Sequence, residues 1–140
     1  ASAVLYAADA NTNSLLSFSL GNGALTSTGS VTTGVQPVAL TADNQNRPLF
    51  VANQGDSSIS VFTVNATTGA LTAASTTTLA SGTAPNALAY DPVNNFLLVS
   101  ESGTRQIVPF GVNTSTGALS PLSGSLTVAN APSGLAVATP

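Results

Sequence analysis

The sequence predicts an all-β domain of three tandem units, each built from four antiparallel strands. One reason is internal repetition. The segment Leu49 to Val64, two apolar runs around a small polar turn, recurs as Leu5 to Leu20 and Leu97 to Val112. The alignment puts Phe18, Phe62 and Phe110 in one column and Leu15, Ile59 and Ile107 in another. A second reason is spacing: runs rich in Val, Phe, Leu and Thr are interrupted by Gly, Asn, Asp and Pro roughly every 8–12 residues, and no segment has helical periodicity. The third is size. At 140 residues and 43% hydrophobic content the chain can form one core, so 1–46, 47–94 and 95–140 are read as repeats within a single domain.

Charge is the unusual property. Only 5% of residues are charged and the net charge is -3, so Ser, Thr, Asn and Gln must face the solvent. Lys and His are absent, leaving Arg47 and Arg105 as the only basic side chains. No basic cluster exists to neutralise phosphates, which argues against nucleic acid as a partner. The longest apolar run near the start, Ala3 to Ala8, is far below the ~20 residues of a bilayer span, so membrane insertion is not expected. Without Cys, disulfides, thiolate metal sites and Cys nucleophiles are excluded. The chain also lacks Met and begins Ala1-Ser2-Ala3, which would suit the mature end of a processed protein and predicts a secreted or cell-surface location.

Each repeat reads in the same order. Leu5 to Ala8, Leu49 to Ala52 and Leu97 to Ser100 are apolar at successive positions, so both faces of that strand must be covered. The Phe-bearing strand follows, then Asn22-Gly23, Thr68-Gly69 or Thr116-Gly117, where Gly accepts the positive φ of a tight reversal. The next strand (24–33, 70–80, 118–128) is rich in Ser and Thr and reads as a solvated outer edge. Pro121 fits such an edge, whereas Pro109 falls inside a strand and predicts a bulge. Pro37, Pro85 and Pro132, 48 and 47 residues apart, then open short strands of small residues that suit a crowded central position. Asp43 with Asn46, and Asp91 with Pro92 and Asn94, look like turns in which the carboxylate caps backbone N–H groups.

Four antiparallel strands per repeat of about 47 residues, stacked on both faces with a small-residue inner strand, describe a β-propeller blade. The course Leu49-Phe50-Val51-Ala52-Asn53, Ile59-Ser60-Val61-Phe62-Thr63-Val64, Thr68-Gly69-Ala70-Leu71-Thr72 and Pro85 to Asp91 resembles the surface-layer (YVTN-type) propeller repeat and the related lactonase-like seven-bladed propellers. The resemblance covers the whole chain. It implies the propeller fold. Hydrolysis of a cyclic ester, the lactonase activity, would need an activated water with a general base or a metal. No recognisable catalytic set is present, so no catalytic residue, cofactor or metal is assigned.

The chain starts on the second strand of a blade and ends on a first strand, Pro132 to Ala138. Three blades are fewer than the four to eight of closed propellers. The seam is therefore placed at Val4, Leu5 and Tyr6 against Leu135, Ala136 and Val137 of another chain, by strand exchange. Two chains joined twice give a closed six-bladed homodimer, a joint that does not close gives a head-to-tail filament, and a piece of a longer propeller remains a third arrangement.

Ligands of propellers usually bind around the channel mouth, where the turn after the second strand meets the loop into the inner strand. That selects Asp9, Asn53, Asp56, Glu101 and Arg105 as candidate ligand-binding residues, with Asn11, Gln54, Gln36 and Asn130 beside them. Asp9, Asp56 and Glu101 are the available bases and Arg105 the available anion clamp. The bland alternative is that surface turns collect charge, with Glu101 and Arg105 paired to each other. Asn65-Ala66-Thr67 and Asn113-Thr114-Ser115 match the N-glycosylation pattern and read as incidental. The predicted function is a secreted, non-catalytic, self-assembling propeller module, structural or binding a glycan or other small ligand. The alternative is a lactonase-like hydrolase or a fragment of one.

Overall fold

The computed structural model describes residues 3–42 and 48–138. Among them every regular element is a β-strand, and the strands form three antiparallel sheets. Blade 1 holds β1 (Ala3–Asp9), β2 (Ser14–Gly21) and β3 (Ala24–Thr32). Blade 2 runs β4 (Pro37–Thr41), β5 (Leu49–Asn53), β6 (Ser58–Val64) and β7 (Leu71–Thr78). Blade 3 runs β8 (Pro85–Asp91), β9 (Phe96–Glu101) and β10 (Gln106–Val112), with β11 (Leu119–Pro121) and β12 (Leu126–Thr127) both pairing with β10. The registers Leu5↔Phe18, Leu49↔Phe62 and Leu97↔Phe110 repeat, as the alignment of the sequence requires.

The blades stack through alternate residues of the second strand. Leu49 and Val51 of β5 join Leu15 and Phe62 between blades 1 and 2, while Phe50 and Ala52 join Leu88, Tyr90, Leu97, Val99 and Phe110 between blades 2 and 3. β5 is buried at every position because it has a blade on each side. The Phe50 and Tyr90 rings sit 5.4 Å apart at 45°, a favourable tilted geometry. Blade 1 presents an uncovered face: Leu5, Leu20 and Leu25 are exposed and Phe18 is half-buried, although Phe62 and Phe110 are buried.

The hairpin glycines record the same asymmetry. Gly69 and Gly117 have φ of +70° and +72°, and a Cβ there would lie 2.5 Å from Val4 and 2.6 Å from Val61 on the preceding blade. Gly23 has φ +79° and open space around it, because no blade among the described residues packs against it. Asn22, at φ 52°, completes a two-residue hairpin with Gly23.

Two expectations need correction. The outer strand at 118–128 is broken into β11 and β12, because Pro109 on β10 and Pro121 on β11 have no N–H for a continuous ladder. The irregularity expected at Pro109 belongs to the repeat rather than to the proline, since the ladders also shift at the aligned positions Ser17/Phe18 and Val61/Phe62. Residues 132–138 form no strand. Leu135 and Val137 are half-buried between exposed neighbours, the alternation of a strand, but they have no ladder partner among the described residues. The segment is held where it begins, by Asn86 Nδ2 (2.6 Å) and Ser100 Oγ (3.2 Å) donating to the Pro132 carbonyl.

The Asp91 turn forms as expected, with the carboxylate accepting from the N–H groups of Val93 and Asn94 and from Asn94 Nδ2. Asp43 and Asn46 lie outside the described residues. The Asn94 side chain, helped by these N–H groups, holds the Asp91 carboxyl below its ordinary value; the Thr12 side chain and the N–H groups of Asn11 and Thr12 do the same for Asp9. Depressed carboxylates contribute stability that is complete above the unfolded value near 3.8 and disappears as pH falls through the lower folded value. Circular dichroism across pH 5 to 2 is expected to show stability falling below about pH 4, less steeply in Asp91→Asn. Equal slopes would mean the cap is not coupled to folding.

Candidate functional site

One rim of the blades gathers the turns β1–β2, β5–β6 and β9–β10 with the loops that lead into β4 and β8. Backbone bonds join them: Gln54 N to Gln36 O (2.9 Å), Gly55 N to Val35 O (3.0 Å), Ser102 N to Ala84 O (3.1 Å) and Gly103 N to Thr83 O (3.0 Å). Asn13, Ser57 and Arg105 end the three turns at φ 52°, 53° and 56°, and Gln36 and Ala84 end the loops at 56° and 48°. Left-handed conformations are uncommon outside glycine, and here the bonding between turn and loop holds them in place. The rim is therefore a repeated, pre-formed scaffold.

The candidate residues lie in or beside these turns, and their side-chain bonds stay within the turn and its strands or reach the adjoining loop. Asp9 accepts from the N–H groups of Asn11 and Thr12 at 2.9 and 3.3 Å. Asn53 is fully buried, its Nδ2 donating to Ser58 Oγ (3.0 Å) and Ser60 Oγ (2.9 Å) while its Oδ1 has no partner. Asp56 accepts from Val35 N (2.8 Å) and from Ser58 Oγ (2.7 Å). Glu101, 5% exposed, accepts from Thr104 Oγ1 at 2.7 Å. The Glu101–Arg105 pair of the bland alternative is not formed: the hydroxyl three residues along the turn bonds the carboxylate. Among the described residues no three acidic side chains come together as a metal site. Gln54 is half-buried, Gln36 and Asn130 are exposed, and Asn65 and Asn113 cap their own hairpins through N–H groups two and three residues on.

Sequence reasoning did not single out Ser58, Ser60 or Thr83. Ser58 and Ser60 are polar residues at buried positions of an otherwise apolar strand, and that contrast is a readable signal. They line a cavity of about 360 Å3 between blades 1 and 2, together with Gly34, Asp56 and Ser75. A second cavity, about 390 Å3, lies between blades 2 and 3 and holds Thr83, Glu101 and Thr104. In Gly34 a Cβ would come within 2.7 Å of Asn53, Asp56 and Ser58, so only glycine admits that cluster.

The family model for lactonase, seven-bladed β-propeller, matches residues 1–82. The chain belongs to that lactonase family. Solved structures agree with the blade geometry. A Bacteroides fragilis protein provisionally assigned as a 6-phosphogluconolactonase superposes with a TM-score of 0.84 at 18% identity, covering 94% of this chain and 37% of that one. A protein of Lactobacillus plantarum gives 0.78 at 22% identity, covering 89% and 39%. The periplasmic gluconolactonase of Pseudomonas aeruginosa gives 0.75 at 26% identity, covering 87% and 36%. No curated protein matches the sequence. This lactonase-family chain thus spans well under half the length of the similar structures, as three blades of a larger ring would. Its match at 1–82 takes in two of the three rim turns, those carrying Asp9, Asn53 and Asp56.

Proposed function

We propose that the chain provides the blades of a lactonase-type propeller that takes a cyclic ester, of the sugar-lactone kind, at the rim of a completed ring. The family match over residues 1–82 carries this reading, because it includes the turns that would border the channel. Hydrolysis needs a base to activate water, and Glu101 is the candidate with the fewest bonds to its own turn. Arg105 at the end of the same turn would favour the anionic product. Assays of glucono- and related lactones, with and without divalent metal, test it. Turnover lost in Glu101→Gln supports a hydrolase. No turnover on any lactone, by chain that is assembled and folded, overturns it.

A second reading is a non-catalytic module, the sequence-based expectation, and one observation favours it: Asp9 and Asp56 are engaged in capping and cross-linking the rim. Saturable lactone or glycan binding without turnover would identify that case. An extracytoplasmic location belongs to the proposal and is supported by the periplasmic home of the Pseudomonas relative.

Both readings need a ring. We assign its completion to a second copy, because blade 1 exposes the face and the open hairpin that blades 2 and 3 use internally. If the seam repeats the registers Leu40↔Val51 and Leu88↔Val99, Leu135 would pair with Ala7, Ala136 with Tyr6 and Val137 with Leu5, with Val4 beyond them. Two copies give six blades, one fewer than the family ring and within the range of closed propellers. A seam of backbone pairing and apolar contact is expected to hold in 1 M salt, where the Debye length is ~3 Å. Dissociation on adding salt, followed by sedimentation, would show that ion pairs make the joint instead.

A further inference from the structure

We propose that the cavity between blades 2 and 3 binds a small organic cation, a protonated amine carrying a short apolar chain. The cavity shares Glu101 and Thr104 with the β9–β10 rim turn and reaches from it between β7 and β10. The walls come from β7 and the loop after it, the end of β9 and the turn into β10, β10 itself and Pro121 of β11, with no residue from the inner strands β4 or β8. Its volume, about 390 Å3, suits a molecule of a few heavy atoms.

The chemistry is set by Glu101. Its side chain is 5% exposed and lies on the cavity wall, its one hydrogen-bond partner is Thr104, and no ion pair reaches it among the described residues. A buried carboxylate without a counter-charge is unfavourable, so the site favours a cation. Thr83 gives a second, independent sign. It is 4% exposed and borders the same cavity, and its buried Oγ1 has no hydrogen-bond partner among the described residues. Leu79, Val108 and Phe110 line the same cavity and supply apolar surface for an alkyl chain.

Comparison with the cavity between blades 1 and 2 shows why this one is open to a ligand. There, Asn53, Ser58 and Ser60 bond to one another and to Asp56. The aligned positions in blade 3 are Glu101, Gln106 and Val108, by the registers Asn53↔Ser58 and Glu101↔Gln106, and the closed network is gone. The frame stays rigid. Leu79 N bonds to Ser57 O at 2.8 Å, and Gly103 N bonds to Thr83 O at 3.0 Å, so the loop over the cavity is pinned by the turns of both blades.

The test is an amide-resolved NMR titration of the full chain with n-butylammonium at pH 7, with n-butanol and butyrate as neutral and anionic counterparts. Saturating shifts are expected at Thr83, Glu101, Thr104 and Val108. Removing one charge-assisted bond weakens binding by about tenfold, so n-butanol on the native chain and n-butylammonium on Glu101→Gln should both lose about that factor. Thr83→Val leaves the carboxylate in place and is expected to weaken binding by about threefold. If Glu101→Gln does not fold, Thr83→Val and the butanol comparison decide. Absence of saturation, equal affinity for the amine and the alcohol, or the same shifts with KCl alone would each overturn the proposal.

Discussion

Phe62→Ala is expected to lower the stability of the folded chain by about 3–5 kcal/mol, the loss typical of a cavity left by a buried Phe. The ring is 2% exposed and meets Leu15, Leu49 and Val51 between blades 1 and 2, a contact with little room to collapse. Its repeat mate Phe18 is half-buried on the uncovered face of blade 1. Phe18→Ala should therefore cost under about 1.5 kcal/mol within one chain, with its larger effect on association. Urea unfolding at fixed protein concentration compares the two. Equal losses in a chain that is monomeric would mean that the faces of blade 1 and blade 2 are not distinguished as described.

Gly117→Ala is the second large effect, at about 2–4 kcal/mol. Positive φ at an L residue costs about 1–2 kcal/mol, and the added Cβ would stand 2.6 Å from Val61 Cγ1, a contact that needs the blades to part. Gly23→Ala meets the same φ penalty without a neighbour, and should cost about 1 kcal/mol in an isolated chain. In a ring the hairpin of Gly23 packs on the blade before it. Gly23→Ala should then weaken the dimer as Gly117→Ala weakens the monomer, and thermal unfolding over a range of protein concentration separates the two effects. An unchanged concentration dependence in Gly23→Ala would place the seam elsewhere.

These contrasts show which parts of the molecule are legible in the sequence. The Phe column, the apolar second strands and the hairpin glycines repeat, so strand order, blade boundaries and the two-faced core follow from alignment of the chain with itself. Local chemistry within a repeat is less readable. Asp91 was recognisable as a cap because Pro92 and Asn94 complete a known turn, yet the break of the outer strand of blade 3 depends on where Pro109 and Pro121 fall across one ladder. The partner of Glu101 is set by the turn that ends at left-handed Arg105, where the Thr104 hydroxyl meets the carboxylate, a detail that proximity along the chain does not decide. Thr83 gave no signal, since an isolated Thr in a small-residue loop becomes buried only when two turns close over it.

The proposed ring depends on blade 1 and the 132–138 segment meeting across two chains. Light scattering on the intact protein tests this directly. A mass of two 13.7 kDa chains, unchanged in 1 M salt and lost on deleting residues 131–140, is the expected result, with Ala7→Cys and Leu135→Cys chains forming an intermolecular disulfide when mixed. An open-ended distribution of masses would mean that the head-to-tail joint fails to close. A well-behaved monomer of 13.7 kDa, unaffected by the deletion, would contradict the strand-exchange seam.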